Sequence, residues 1–487
     1  MLTLGPLLIP LTTAILCALL AKQATARRVV SLAGSLLLLG NAIFLLHYVS
    51  QHGRSSIALG GWPLPYAIEL AADGLSAVMI LVTALLGLAT VLYQDRWQDP
   101  VVQQAGVPAL IHCLLTSAIA TFLASDLFNL YVWLELMFIA TLGLLVVGGQ
   151  SRHAEAAFKY FAINMLGTLL MLAAVALIYG ASGQLNFTTL REAAQQPIMA
   201  SGLMAYFGLL MLAFLIKAGA FPLFVWLPAS YHTLPAPLLA LVGGLLTKVA
   251  AYILLRLLGE VFITTPGALL YVLGWLAMVT MVVGVLGAAY HWDLRRILTF
   301  HIVSQIGYLL FGIALASPEA AAATVYFAIH NILVKSNLFF IAGIIWASTG
   351  HYDLRRIGGL YLQRPLLALL FLVSALSLVG VPPSSGFWGK FMLVREAFAQ
   401  SHYAWGGLAL AVGLLTLYSM SKIWLEGFWK PHPKPEDLAI RTPVPTTAYA
   451  AVLILSGIII IMGVFPEPII HEIASSTANF WSRGSAL

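Results

Sequence analysis

Apolar positions in this chain do not alternate with polar ones; they run in blocks of about twenty residues with short polar gaps between them. That is the length a helix needs to cross the hydrocarbon core of a bilayer. Fourteen such blocks lie near residues 2–21, 28–48, 73–93, 106–124, 126–148, 156–180, 201–229, 235–258, 266–290, 296–315, 320–347, 363–399, 404–427 and 446–465. The first block lacks a basic leader and a small-residue cleavage site ahead of Arg27 and Arg28, so it reads as a spanning helix and not as a signal peptide. The pattern predicts an all-α polytopic membrane protein. Its longest polar gap, 428–445, is rich in proline and charge and precedes a last helix expected at the periphery.

Composition agrees. Hydrophobic residues make up 61% of the chain and charged residues 9%, too few to cover a water-soluble surface. The net charge of +6 is scattered over short loops and does not form one patch, which excludes nucleic acid as the natural partner. Counted by side, the basic residues are uneven. Loops after odd-numbered blocks carry most of them, among them Lys22, Arg27, Arg28, Arg96, Arg152, Arg295, Arg296, Arg355, Arg356, Lys422, Lys434 and Arg441; the opposite side carries Arg54, Arg191 and Arg483. The positive-inside rule then places the odd loops in the cytoplasm and both termini outside the cell membrane. Cys17 and Cys113 sit in separate apolar runs with no second thiol or histidine cluster nearby, so they read as packing residues, and neither a metal nor a cofactor is expected.

Six ionisable side chains fall inside apolar blocks: Glu135, Lys217, Lys248, His330, Lys335 and Lys390. A charge at a helix centre costs about 2.5–3.5 kcal/mol on insertion scales, which makes function the default reading of each. The bland alternative is an ion pair that fixes helix packing, and it carries most weight for Lys335. Burial lowers a lysine's proton affinity and an acidic neighbour raises it, so a lysine whose partner moves is a proton switch. One buried acid cannot serve four lysines, so a chain of exchanging protons is expected. His301, Gln305 and Tyr308 share a helix face and form a candidate polar track, although a packing role suits His301 equally. His112 and His232 lie near helix ends and receive no role, and Asp73 and Asp126 read as helix caps.

Two blocks should be broken at membrane depth. Gly219, Pro222 and Pro228 interrupt the seventh, and Gly380, Pro382, Pro383 and Gly386 interrupt the twelfth, each with a buried lysine within a few residues. The breaks are five helices apart, an odd number that inverts one copy relative to the other. Helices four to eight thus match nine to thirteen as an inverted repeat. The expected organisation is residues 1–105 as three N-terminal helices, 106–260 and 261–427 as two half-channels, and 428–487 as a cytoplasmic loop with the fourteenth helix.

The blocks NLYVWLELM around Glu135, IKAGAFPLFVWLPASY and ALVGGLLTKVAAY around Lys217 and Lys248, HIVSQIGYLLFGIAL, and VPPSSGFWGKF around Lys390 resemble the antiporter-like subunits of respiratory complex I, membrane hydrogenases and multi-subunit Mrp cation/proton antiporters. Within that group the chain is most similar to the Mrp D type, which bears a lysine where the M subunit of complex I bears an acid. The resemblance implies that Glu135 and Lys217 are the charge pair of the first half-channel, Lys248 the central bridge, His301 and His330 parts of the second half, and Lys390 the terminal group; Lys335, read from its burial alone, is counted in the same proton path. It further implies a secondary-transporter subunit and not an enzyme, sodium and protons as transported ions, and partner subunits of the A, B, C, E, F and G types. The competing reading is a proton-pumping subunit of a redox complex. No iron–sulfur, nucleotide or haem motif is present in this chain, so any redox cofactor would reside in partners. A solitary solute transporter is disfavoured by the line of buried lysines.

Overall fold

The computed structural model describes residues 2–62, 66–97, 99–195, 197–432 and 444–481. The chain is a helical membrane bundle. Three helices open it: α1 (Gly5–Leu19), α2 (Ala24–His52) and α3 (Gly74–Gln94). Then come α4 (Val107–Leu123), α5 (Leu127–Val146), α6 (Ser151–Ser182), the short α7 (Phe187–Ala194), α8 (Pro197–Ala218) with its continuation α9 (Trp226–Ser230), and α10 (Ala236–Arg256). The second half comprises α11 (Gly267–Tyr290), α12 (Leu294–Ala314), α13 (Pro318–Thr349), the single turn α14 (Leu360–Gln363), α15 (Pro365–Val379), α16 (Ser385–Ala399) and α17 (Tyr403–Ile423). Helices α18 (Thr446–Val464) and α19 (Glu467–Thr477) close the chain. Among the described residues twelve helical stretches are long and apolar enough to cross a bilayer. The shorter apolar helices α4 and α15 complete the fourteen crossings read from the sequence.

Helix starts follow local chemistry. Asp73 accepts from the Ser76 amide at 2.8 Å while the Ser76 hydroxyl accepts from the Asp73 amide, a capping box that begins α3. Asp126 begins α5 by accepting from the amides of Phe128 and Asn129, and Asp293 begins α12 in the same way through Arg295 and Arg296. Such caps contribute about 1 kcal/mol each and fix where a helix enters the bundle.

The two halves correspond in more than hydropathy. Asp126 pairs through its backbone with Asn186, and Asp293 pairs with Asp353. Helices α6 and α13 both end on a left-handed glycine, Gly183 and Gly350. The fourth crossing of each half breaks at a glycine of positive φ, Gly219 at 77° and Gly380 at 91°, a conformation that side chains with a Cβ resist. The fifth crossing of each ends in a π-helical turn, Leu257–Val261 and Trp424–Trp429. Five crossings per unit reverse the membrane direction of the second.

Helices α10 and α13 are buried on all sides, as expected of helices that are apolar all round yet carry polar groups at intervals. They cross closely because Gly244 has no side chain: a Cβ there would lie 2.0 Å from the Ser336 hydroxyl. Ser336 instead donates to the Ala240 carbonyl at 2.9 Å.

Some features differ from the sequence reading. A β-hairpin of Ser55–Leu59 paired antiparallel with Ile68–Ala72 stands between α2 and α3. Helices α7 and α19 are additional, because each is too short or too polar to register as a span. The last crossing, α18, lies at the periphery with Leu453, Ile454, Ile460, Ile461 and Val464 exposed, yet its other face is docked on the second break and α13. Gly463 allows the backbone of Pro383 and Ser385 to lie against it, Trp388 donates to its carbonyl at 2.9 Å, and Ser456 accepts from Asn337 at 2.8 Å. The expected linker 428–445 falls largely, and Lys434, Arg441 and Arg483 entirely, outside the described residues.

Candidate functional site

The first cluster is a three-residue chain. Glu135 projects from α5 and Lys217 from the last turn of α8, with their charged atoms 3.7 Å apart. Between them stands Thr168 of α6. Its hydroxyl donates to Glu135 Oε1 at 2.6 Å and accepts from Lys217 Nζ at 2.9 Å, so one small polar group connects acid and base. Lys217 is 8% exposed and Glu135 21%. The Phe138 ring lies 5.8 Å from the ammonium and supplies a weak cation–π contact in place of water.

The break beyond Lys217 leaves carbonyls of α8 without helical partners. The Trp226 indole fills one such need by donating to the Ile216 carbonyl at 3.1 Å, and the Phe221 amide reaches the Thr280 hydroxyl at 3.1 Å. Beside Lys217 a cavity of about 20 Å³ is lined by Tyr160, Asn164, Trp226, Leu246 and Ala250. That is space for roughly one water molecule. Its far wall is α10, the helix of Lys248.

Lys248 is fully buried and donates to the Gly243 carbonyl of its own helix at 3.0 Å. Across the Gly244 crossing lies α13, which carries His330, Asn331 and Lys335, all fully buried. Lys335 Nζ makes no hydrogen bond to the protein, nor do His330 Nε2, Asn331 Oδ1 or Gln305 Nε2. Buried polar atoms almost always have partners, and where protein does not supply them, bound water does. The unpaired polar atoms of α12 and α13 are thus gathered around His330, Asn331 and Lys335.

The second break is held differently. His330 Nδ1 lies 2.8 Å from the hydroxyl of Ser385, the first residue of α16, and Ser385 lies 2.8 Å from Ser377 in the last turn of α15. Lys390 reaches back from α16 and donates to the carbonyls of Leu378 and Val379 at 2.9 and 2.8 Å. A cation thus occupies the carbonyl end of α15, where the helix dipole favours positive charge. A neutral indole has the equivalent position in the first break. The Tyr308 ring, 5.0 Å from Lys390 Nζ, closes this end.

His301 is buried and pairs with Ser419 of α17 at 2.9 Å, and Tyr308 donates to Ala409 of the same helix at 2.5 Å. Gln305 points elsewhere, toward Asn331 of α13 at 3.4 Å. The single polar track expected of these three therefore divides between two neighbours, His301 and Tyr308 bonding α17 and Gln305 meeting α13.

Sequence reasoning missed Thr168, Ser377 and Ser385, since a hydroxyl in an apolar helix usually bonds its own backbone and gives no distinguishing pattern. It missed a second charged group as well. Arg256 forms ion pairs with Asp73 and, at 3.2 Å, with Glu260, so Asp73 is a cap and an ion-pair partner at once. His112, in the second turn of α4, is fully buried, with Nε2 2.9 Å from the Ser31 hydroxyl. Among the described residues no three His, Cys, Asp or Glu side chains cluster to hold a metal ion.

Residues 124–416, which include every buried acid–base residue of this series, match the family described as NADH:quinone oxidoreductase/Mrp antiporter, TM. The chain belongs to that family. Two antiporter relatives align with it over most of its length. The D-type subunit of the Na(+)/H(+) antiporter of Bacillus subtilis (strain 168) is 35% identical over 97% of this chain and 96% of its own. Its namesake from Alkalihalophilus pseudofirmus is 37% identical over 89% of this chain and 88% of its own. Among solved structures, a chain of the Mrp complex from Dietzia sp. DQ12-45-1b superposes with a TM-score of 0.91 at 29% identity, covering 99% of this chain and 97% of that one. The chain is a multi-pass membrane transporter subunit of this family, and the lysine series and paired breaks described above are features of its transmembrane core.

Proposed function

We propose that this chain is the D-type, proton-translocating subunit of a multi-subunit Na+/H+ antiporter in the cell membrane, working beside A-, B-, C-, E-, F- and G-type partners. The observation that carries the reading is the Glu135–Thr168–Lys217 chain at one end of a buried series of proton carriers. Residues 106–260 and 261–427 act as the two half-channels, and both termini face outward, with the arginine-rich loops in the cytoplasm.

In this mechanism a proton taken up at Lys217 is stabilised while Glu135 stays within reach. Two unit charges 3.7 Å apart at an effective dielectric near 20 interact by about 4 to 5 kcal/mol, so separating the pair changes the lysine's proton affinity by several orders of magnitude. The released proton crosses the water-sized cavity to Lys248, passes the α10–α13 crossing to Lys335 and His330, and moves through the Ser385 and Ser377 hydroxyls toward Lys390. His301 lies beside this route. Sodium is assigned to no residue of this chain. A redox-driven pump would use the same relay with a different driver, and the antiporter relatives favour the first. The test is sodium-dependent proton flux in everted vesicles carrying the whole complex. Loss of flux in Glu135→Ala with the complex assembled supports the relay, and exchange at the normal rate refutes it.

A further inference from the structure

Away from the relay, a cavity of about 700 Å³ opens where α6 begins, α11 ends and α12 begins. Four arginines line it, Arg152, Arg295, Arg296 and Arg355, against two carboxylates, Asp293 and Asp353. The acids are already engaged. Asp353 is chelated by Arg355 at 3.0 and 2.8 Å, and Asp293 caps α12 and lies 3.6 Å from Arg295, whose guanidinium stacks 4.0 Å over Tyr352. Arg152 and Arg296 are exposed and have no acidic partner among the described residues. The pocket therefore presents two free guanidinium groups held apart by a fixed scaffold, a geometry suited to phosphate oxygens.

An apolar track starts at its mouth. Tyr290 at the end of α11 is 79% exposed, and Leu286, Val279 and Val272 continue the same exposed helix face at seven-residue spacing. Beside them, the first break docks on α11 through Phe221 and Thr280 and adds exposed Phe221 and Val225. Tyr290 and the exposed Trp292 mark the level where aromatic side chains meet lipid headgroups. Charge at the pocket and an apolar strip below it form one continuous surface with the polarity of a phospholipid.

We infer that this pocket binds the headgroup of an anionic phospholipid, with an acyl chain laid along the exposed face of α11 and the first break. The proposal does not depend on the relay; it shares with the proposed topology only the side of the membrane, the arginine-rich face. Its consequence for transport is local. The lipid touches His232 and Thr233, which close the segment between the Lys217 break and α10, and so braces that segment.

The experiment uses the intact complex, purified in detergent and examined by native mass spectrometry after exposure to phosphatidylglycerol, cardiolipin or phosphatidylethanolamine. One anionic lipid should be retained and the zwitterionic lipid should not. The Arg152→Gln/Arg296→Gln variant should retain it about 30-fold more weakly, since each basic side chain near the surface strengthens lipid attraction about fivefold. Arg356→Gln, in the same loop region but outside the pocket, should behave as the wild type. Displacement of the lipid by millimolar inorganic phosphate would show a free-anion site and overturn the proposal, as would equal retention by the double variant. Should that variant fail to assemble, a photo-crosslinking side chain at position 286 in otherwise unaltered protein decides: label on lipid supports the site, and label on a partner subunit refutes it.

Discussion

Replacing Thr168 with valine removes one hydroxyl at nearly constant volume and tests whether the link between Glu135 and Lys217 matters. The hydroxyl makes two hydrogen bonds to charged groups, 2.6 Å to the carboxylate and 2.9 Å from the ammonium. Hydrogen bonds of this kind contribute about 1.5–3 kcal/mol each. The direct attraction across 3.7 Å survives the change, so the pair persists but loses its proton-conducting bridge and fixed orientation. With one such bond's worth lost from the rate-limiting transfer, sodium-driven proton flux should fall about tenfold to a hundredfold. Thr168→Ser keeps the hydroxyl and should retain most of the flux. The assay is dye-reported proton movement on sodium addition to everted vesicles, normalised to assembled complex. Wild-type flux in the valine variant would refute the bridge, and equal loss in valine and serine variants would reduce Thr168 to a packing residue.

Other outcomes follow from the same geometry. Lys390→Met strips the donor from the Leu378 and Val379 carbonyls, costs about 1–3 kcal/mol for each left bare, and should abolish flux, whereas Lys390→Arg should restore stability measured by heat-induced aggregation. Lys335→Met should leave thermal stability unchanged or raised, because it removes a buried amine with no protein partner, while flux is lost; a large drop in stability would assign Lys335 to packing. Gly244→Val should overfill the α10–α13 crossing and lower assembled yield, and pairing Gly244→Ala with Ser336→Ala should recover much of it, read by fluorescence-detected size exclusion.

Much of this was legible in the sequence for identifiable reasons. Lipid demands continuous apolar runs, so the fourteen crossings stand out as blocks, and the breaks announce themselves because glycine and proline are costly inside a helix. Lys217, Lys248, Lys335 and Lys390 were visible because charge in such a run is rare. Beyond the Glu135–Lys217 pair that the resemblance implied, what the charges touch was not visible. Thr168 and Ser385 gain their places only when helices distant in sequence are brought together, and Gly244 has meaning only against Ser336. The docking of α18 on the second break and α13 through Gly463 and Ser456 was hidden for the same reason, since an apolar helix reads alike whether it faces lipid or protein. Arg256 was overlooked because it lies at the end of α10, where a basic residue is ordinary, and its partner Asp73 stands far away in the sequence, at the start of α3.

The most direct measurement of the central claim is sodium-dependent proton flux in everted vesicles from a strain without antiporters of its own, comparing the complete set of subunits with and without Glu135→Ala in this chain. The account predicts robust exchange with the intact chain and none with the variant, both complexes assembling equally. Undiminished exchange in the assembled variant would contradict it.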